Sequence, residues 1–261
     1  MPVVSTPYPP GTPCWVDLMA PDPQAAIDFY KDLFGWQGER GPDEFGGYAV
    51  CTLNGKPVAG IGPAMAMGDN PPPPTVWTTY LASADADATA TKVAEHGGTL
   101  LFPVMDVGTV GRMFVALDPT GAAFGVWQAV DFGGAEIVNE SGAVIWNELN
   151  TSDVTAATAF YKPALDIDIS PAPEMPGYSM LKVGGKDVGG AQGLDNHPPG
   201  TPSHWGTYFA VDDVDSTVDA AVKARASVLL PATDTPVGRI AALRDPQGAP
   251  FSIIAPKPPQ G

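Results

Sequence analysis

The sequence predicts an α+β protein made of two tandem copies of one unit, and three observations support this prediction. Two residue clusters recur along the 261-residue chain at nearly constant spacing. Within each copy, one strand, one helix and three strands follow one another twice. The composition, with 44% hydrophobic and 9% aromatic residues, is typical of packed cores, although glycine and proline each number 30. We therefore expect a globular chain that is rich in loops.

The repeat begins with a tryptophan strand that a helix follows. Trp15-Val16-Asp17-Leu18 precedes Phe29-Tyr30-Lys31, and Trp146-Asn147-Glu148-Leu149 precedes Phe160-Tyr161-Lys162 at the same distance. Later, Gly111-Arg112-Met113 leads to Asp118-Pro119-Thr120-Gly121, and Gly238-Arg239-Ile240 leads to Asp245-Pro246-Gln247-Gly248. Because a repeated order at repeated spacing indicates duplication, we predict an N-terminal domain at 12–129 and a C-terminal domain at 143–256.

The first unit of the N-terminal domain is predicted to be a strand, a helix and a hairpin. A strand covers residues 13–19. The helix runs from Asp22 to Leu33, because apolar residues recur there at three- and four-residue spacing; Asp22 is its expected N-cap, and Gly35 lies past its end. Two strands then flank the turn Asn54-Gly55, whose residues accept the positive φ of a tight hairpin.

The second unit repeats this order after a run of four prolines, which excludes a helix or a central strand. We predict a strand at 75–82, a helix at 85–96 and strands near 99–105, 111–117 and 123–128. The C-terminal domain follows the same plan, with the linker 196–203 in place of the proline run.

The charge balance argues against a polyanionic partner. Lys+Arg number 13 against 29 Asp+Glu, which gives a net charge of −16, and the basic residues are scattered. We therefore expect no nucleic-acid and no membrane partner. The chain shows no leader pattern and no apolar run of about 18 residues, so we expect a cytoplasmic protein. Cys14 and Cys51 are predicted to be buried thiols without a chemical role.

The repeated βαβββ units, the Phe-Tyr helices and the Gly-Arg…Asp-Pro-x-Gly turns resemble the vicinal oxygen chelate superfamily. This superfamily includes glyoxalase I, extradiol dioxygenases and bleomycin-resistance proteins, and the chain looks most like its tandem actinobacterial glyoxalase-like members. The resemblance implies that each domain curls an eight-stranded mixed sheet into a cup with helices on the outer face. It also implies a divalent metal inside the cup, which stabilises charge on two neighbouring substrate oxygens.

The positions that the resemblance assigns to metal ligands hold none of the usual ligands. Aligned on the family pattern, they fall on Trp15, Thr78, Gly60 and Gly125 in the first domain and on Trp146, Gly206, Gly190 and Ser252 in the second. His, Glu, Asp and Cys dominate zinc and iron sites, and none of them occurs there. His96 is expected at a helix end and His197 in an exposed linker. We therefore predict no metal site of the usual kind and no cofactor.

Alternation along the two tryptophan strands indicates candidate site residues. Asp17 shares a face with Trp15, and Glu148 shares a face with Trp146. Two interpretations stay open for these carboxylates. They form structural pairs, Asp17 with Arg112 and Glu148 with Arg239, or they act as general bases whose pKa is raised by burial.

The remaining candidates lie on other strands of the predicted cups. His204 shares a face with Gly206 and Tyr208, so it is either a further candidate base or a histidine satisfied at a strand end. Tyr80, Trp127 and Tyr208 also face inward, where aromatic rings form either a core or the wall of a site for a flat molecule.

Two classes of function follow from these candidates. The chain is either a lyase, isomerase or hydroxylase acting on a small oxygenated substrate, or a non-catalytic, metal-free protein that binds an aromatic metabolite or drug. In the first class Asp17, Glu148 or His204 acts as base and an arginine stabilises the anion. The predicted binding residues are Trp15, Tyr80, Arg112, Trp127, Trp146, Tyr208 and Arg239. The expected partner is a small molecule in both classes. Because one chain supplies both units of each cup, we expect a monomer or a loose homodimer.

Overall fold

The structure is a computed structural model that describes residue 4 and residues 7–42, 46–64 and 74–257. It contains two eight-stranded sheets, one in each half of the chain, and four α-helices within these residues. This confirms the predicted α+β fold with two tandem domains. Three prolines of the predicted proline run, residues 71–73, lie outside the described residues. None of the helices described is long and apolar enough to cross a membrane.

The elements follow the same order in both domains. The first domain contains β1 (Pro13–Ala20), α1 (Pro23–Phe34), β2 (Ala49–Leu53), β3 (Lys56–Pro63), β4 (Trp77–Ala82), α2 (Ala86–Glu95), β5 (Thr99–Leu100), β6 (Met105–Val107), β7 (Gly111–Leu117) and β8 (Ala123–Ala129). The second contains β9 (Val144–Thr151), α3 (Val154–Leu165), β10 (Asp168–Pro171), β11 (Tyr178–Val183), β12 (Lys186–Gly193), β13 (His204–Ala210), α4 (Val214–Lys223), β14 (Ser227–Asp234), β15 (Gly238–Arg244) and β16 (Pro250–Pro256). The strand predicted near 99–105 is divided into β5 and β6, which both pair with β7.

The local signals in the sequence act as predicted. The Asp22 carboxylate accepts a hydrogen bond from the backbone N–H of Ala25 and caps α1, and Gly35 ends that helix in the left-handed region at φ 75°. Asn54 and Gly55 both have positive φ, as the hairpin between β2 and β3 requires.

The strands that begin each unit form the centre of each sheet. The first sheet has the order β2-β3-β1-β4-β8-β7-β5, and the second has β10-β11-β12-β9-β13-β16-β15-β14. In both, the central pair is antiparallel, β1 with β4 and β9 with β13, and each central strand is parallel to its outer neighbour. Neither sheet closes into a barrel, consistent with a curled, open cup.

The helix-covered faces of the two domains pack against each other. One core joins the first unit of the N-terminal domain to the second unit of the C-terminal domain, and a second core joins the other two units. Between the central strands, the Thr79 hydroxyl donates to the Asn147 side chain at 2.9 Å. The faces that carry the candidate sites therefore point away from the domain interface.

The Phe-Tyr helices and the Asp-Pro-x-Gly turns connect the two domains. The Trp77 indole donates to the Tyr30 hydroxyl at 3.0 Å, and that hydroxyl donates to Asp245 of the opposite domain at 3.1 Å. The other Asp245 oxygen accepts the N–H groups of Gln247 and Ala249 in its own turn. The same arrangement recurs in the other half, where the Trp205 indole donates to the Tyr161 hydroxyl and that hydroxyl donates to Asp118. The repeated motifs therefore hold the domains together and lie away from the cups.

Candidate functional site

Sheet register places the predicted aromatic residues side by side in each cup. In the first domain, Trp15 lies opposite Tyr80, and Tyr80 lies beside Gly125. In the second, Trp146 lies opposite Tyr208. We refer to these two concave faces as the N-terminal cup and the C-terminal cup.

Each cup contains a tryptophan, a tyrosine and a carboxylate in one hydrogen-bonded chain. In the N-terminal cup, the Trp15 indole donates to the Tyr48 hydroxyl at 2.8 Å, and this hydroxyl donates to Asp17 at 3.3 Å. Trp146, Tyr178 and Glu148 form the same chain in the C-terminal cup, with both distances at 2.8 Å.

The two tyrosines in these hydrogen-bonded chains, Tyr48 and Tyr178, are not among the residues predicted from the sequence. Tyr48 and Tyr178 are separated by the same interval as Gly60 and Gly190, two of the positions assigned to metal ligands. A Cβ placed on either glycine would overlap the hydroxyl of the tyrosine in the same cup. The paired recurrence of a tyrosine and a glycine was therefore the signal that could have found them.

The centre of the N-terminal cup is filled by protein. The Phe132 ring, from the connection between the domains, packs edge-on against Trp15 at 4.9 Å and lies 6.1 Å from the Trp127 ring. The Trp127 indole also donates to the Phe132 carbonyl at 2.8 Å. Trp15, Tyr80 and Trp127 are 6%, 4% and 8% exposed, so these predicted binding residues form a core.

Asp17 lies beside this core, and within the described ranges no lysine or arginine forms an ion pair with it. The residue is 3% exposed, and its Oδ1 atom accepts no hydrogen bond. Burial raises the pKa of Asp17 from 3.8 to about 7, against the opposing effect of the Tyr80 and Tyr48 hydroxyls. A carboxyl group in this setting is stable in its protonated form up to near neutral pH.

The C-terminal cup is more open and more polar. Its wall residues Trp146, Tyr178, Gln192 and Tyr208 are all partly exposed. Glu148 lies below them at 5% exposure. Its carboxylate accepts hydrogen bonds from Tyr178 at 2.8 Å, from Tyr208 at 3.0 Å and from Gln192 at 3.0 Å. The site is therefore a carboxylate held by three neutral donors.

The two cups differ in how closely one glycine is packed. Gly206 is opposite Glu148 in the sheet register. A Cβ added to Gly206 would approach no atom closer than 3.4 Å, which is ordinary contact, whereas a Cβ at Gly125 of the other cup would overlap the Tyr80 ring. The C-terminal cup is therefore less tightly packed at Gly206 than the N-terminal cup is at Gly125.

A polar chain links Glu148 to two histidines at the rim. Gln192 also donates to Asn150 at 3.1 Å, and the Asn150 side-chain oxygen lies 3.0 Å from His197 Nε2. The prediction that His197 is exposed is wrong, because the ring is half-buried and contacts the Asn150 side chain at the rim of the cup. Burial, together with His204, lowers the pKa of His197.

His204 lies on the cup side of its strand, with its ring centroid 5.5 Å from that of His197. Its Nδ1 lies 2.9 Å from the Pro202 carbonyl oxygen, which only accepts, so Nδ1 carries the hydrogen. The Nε2 atom of the neutral ring is then an available acceptor.

The tyrosines around Glu148 remain neutral donors. Burial, together with the negative charge of Glu148, raises the pKa of Tyr178 and the pKa of Tyr208 well above the ordinary value. Both hydroxyls therefore keep their protons at any physiological pH.

The predicted arginine pairs are wrong. Arg112 binds Asp87 and Asp106, and Arg239 binds Asp215 and Asp234. The reason is strand alternation, since Arg112 lies opposite Gln128, whose side chain accepts from the backbone at the start of α2. Both arginines therefore face the helices, outside the cups, and they are not cup-binding residues.

The residues of the cups do not fit a divalent metal of the usual kind. Within the described ranges, no three His, Cys, Asp or Glu side chains are grouped as metal ligands would be. The Tyr48 and Tyr178 hydroxyls fill the space before Gly60 and Gly190, and three donors already occupy the Glu148 carboxylate.

Comparison with known proteins gives consistent matches. The Glyoxalase family, described as the Glyoxalase/Bleomycin resistance protein/Dioxygenase superfamily, matches residues 14–126 and 143–253. The Mycobacterium tuberculosis protein named "Putative glyoxylase CFP32" is 45% identical over 258 residues, covering 97% of this chain and 98% of that protein. The Streptomyces peucetius protein named "Anthracycline biosynthesis protein DnrV" is 39% identical over 265 residues, covering 95% and 94%. A Mn(II)-bound glyoxalase from Novosphingobium aromaticivorans has a similar fold at 16% identity, with a TM-score of 0.63 over 95% of this chain and 82% of that chain.

Proposed function

This chain belongs to the Glyoxalase/Bleomycin resistance protein/Dioxygenase superfamily, and we propose that its C-terminal cup binds a small, planar, oxygenated aromatic molecule. One observation carries the proposal. The C-terminal cup keeps its wall residues partly exposed, whereas Phe132 occupies the centre of the N-terminal cup. The cup with accessible walls is the one that can accept a ligand.

The chemistry of the walls supports an aromatic, oxygenated ligand. Trp146, Tyr178 and Tyr208 provide aromatic surface, which stacks on flat rings. His204 lies on the cup side, and its Nε2 can accept a hydrogen bond from a hydroxyl group of the ligand. The 39% identical relative is named for anthracycline biosynthesis, and anthracyclines are flat, polycyclic and oxygenated.

Binding in this proposal needs no divalent metal. The support is the donor set described above, in which neutral hydroxyl and amide groups surround Glu148. We expect the affinity for an aromatic probe to be unchanged by dialysis against EDTA. A loss of affinity that Mn²⁺ or Zn²⁺ restores would contradict a metal-free site.

The test uses 1,4-dihydroxyanthraquinone as probe and the two matched tryptophans as controls. Calorimetry and probe fluorescence should show saturable binding to the wild-type protein. Trp146→Phe should weaken this binding at least about fivefold, because it removes a stacking surface. Trp15→Phe, at the equivalent position of the filled cup, should leave it within about twofold. Absence of saturable binding, or the opposite order of the variants, would refute the proposed function.

A catalytic form of this function is the second candidate, with the chain acting as a lyase, isomerase or hydroxylase. The available His204 Nε2 favours it, since a neutral imidazole at the rim of a ligand cup can act as a general base. Incubation of the probe with stoichiometric protein, followed by mass spectrometry, separates the candidates. Unchanged probe supports binding alone, and product whose formation His204→Gln abolishes supports catalysis.

The location and oligomeric state stay predictions. We propose a cytoplasmic protein that is monomeric or forms a loose homodimer. Light scattering after gel filtration should give a mass near 27.0 kDa at low protein concentration. A stable mass of twice this value or more at low micromolar concentration would contradict the second part.

A further inference from the structure

We propose that the C-terminal cup selects aromatic ligands that carry a protonated amine, with Glu148 as the group that binds the ammonium. This inference rests on the proposed function and adds the charge of the ligand. The starting observation is that the site contains a buried acidic side chain with no basic side chain paired to it in the described residues. Glu148 is 5% exposed, and no lysine or arginine in the described part of the chain forms an ion pair with it.

The three groups that donate hydrogen bonds to Glu148 are uncharged. Tyr178, Tyr208 and Gln192 are neutral, so none of them brings a positive charge to this side chain. A carboxylate with two oxygens offers about four acceptor positions, and side chains in the described part of the chain occupy three of them. One position on Oε2 therefore remains for a further donor, and a cationic donor gives the strongest such hydrogen bond.

The surroundings of Glu148 favour a cation over a neutral donor. Trp146, Tyr178 and Tyr208 surround the carboxylate and bring no positive charge to it. Low exposure reduces the screening by water, which strengthens the attraction between opposite charges. The chain as a whole carries a charge of −16, which adds to the same preference.

The N-terminal cup provides an internal contrast. Its carboxyl group, Asp17, is also buried, and it has no ionic partner among the residues that the structure describes. There the neighbours are apolar or aromatic, Phe132 fills the centre, and burial raises the pKa to about 7, so the group avoids its charge by taking up a proton. Glu148 instead accepts hydrogen bonds from three neutral donors, and the wall residues above it are partly exposed.

The sheet beside Glu148 carries no side chain at Gly206. Gly206 lies opposite Glu148 and presents no side chain. The nearest atoms to a Cβ placed there are the Asn150 amide nitrogen at 3.4 Å, the Glu148 carbonyl oxygen at 3.7 Å and the Tyr208 ring at 3.9 Å. A ligand ammonium that packs against Gly206 would have the Glu148 carboxylate as its acceptor.

The test compares three probes of nearly equal shape by calorimetry at pH 7.5 and low salt. They are 2-(aminomethyl)naphthalene, which is protonated, 2-(hydroxymethyl)naphthalene, which is neutral, and 2-naphthoate, which is an anion. The wild-type protein should bind the ammonium at least about tenfold more tightly than the alcohol, and the naphthoate should be weakest. Glu148→Gln, which keeps the side-chain shape, should bring the ammonium-to-alcohol ratio close to one. The matched variant Asp17→Asn should leave the ratio unchanged.

The outcomes separate this inference from the proposed function. If 1,4-dihydroxyanthraquinone binds but the ammonium has no advantage over the alcohol, including the case where no naphthalene binds, the charge preference is refuted and the proposed function stands. If neither the anthraquinone nor any naphthalene binds, both fail. A preference that survives Glu148→Gln and disappears in Asp17→Asn would also overturn the inference, since it would place the cation site in the other cup. The wild-type comparison decides the question even if a variant does not fold.

Discussion

The buried carboxyl group of Asp17 makes the stability of the protein depend on pH in a direction that can be worked out. The folded protein holds this group at a pKa of about 7, whereas the unfolded chain has the ordinary value of 3.8. Between these values the folded state keeps a proton that the unfolded state has lost. Stability therefore falls as the pH rises through this window.

The magnitude follows from the same two pKa values. Of the interval between the two pKa values, about two pH units lie above pH 5. Raising the pH from about 5 to about 8.5 therefore lowers the contribution of Asp17 to the free energy of unfolding by about 3 kcal/mol. Other groups titrate over this range as well. The comparison is therefore made between the wild type and Asp17→Asn, which has no proton to lose and nearly the same shape.

Urea unfolding followed by circular dichroism at pH 5 and at pH 8.5 measures this contribution. The variant should gain about 3 kcal/mol relative to the wild type on going from the lower to the higher pH. A difference between the two proteins that stays constant across the range would show that Asp17 does not titrate in this window. The description of the N-terminal cup as a closed core around a protonated acid would then be wrong.

Further expected outcomes concern the domain connection and the two cups. Tyr30→Phe, and likewise Tyr161→Phe, removes a buried link between an indole and a carboxylate and should lower the free energy of unfolding by about 1–3 kcal/mol, measured in urea; a neutral result would contradict the connecting role of these motifs. Phe132→Ala should increase quenching of tryptophan fluorescence by acrylamide, because it opens the filled cup, and unchanged quenching would show that the ring does not close it. Arg112→Ala and Arg239→Ala should leave the melting temperature and the affinity for 1,4-dihydroxyanthraquinone nearly unchanged, because the ion pairs of both arginines are exposed and lie outside the cups. Weaker binding of the probe to either variant would show that the arginine contributes to the ligand site.

The fold could be predicted because its signals are local and repeated. The N-cap Asp22, the C-terminal Gly35 and the turn Asn54-Gly55 act on neighbouring backbone, and the structure confirms all three. The repeat identifies the Phe-Tyr helices, but it does not predict the hydrogen bond from Tyr30 to Asp245 of the other domain, because it contains no information on which domain a side chain contacts.

The site could be predicted only where strand alternation decides the matter. Alternation placed Trp146, Glu148 and Tyr208 on one face, and the register brings them together. The same alternation along β7 places Arg112 on the face that is covered by helices, and this explains why the predicted pair of Arg112 with Asp17 does not form. The filling of one cup by Phe132 depends on the path of the domain connection, for which the sequence contains no periodic signal.

The central claim is that the two duplicated cups have diverged, one into a filled core and the other into an open site around Glu148. The most direct test is a crystal structure of the protein grown with 1,4-dihydroxyanthraquinone. We predict ring density in the C-terminal cup, beside Gly206 and against Trp146, with Phe132 still packed on Trp15. Density for the probe in the N-terminal cup with Phe132 displaced, or a divalent cation bound by Glu148, would contradict the account.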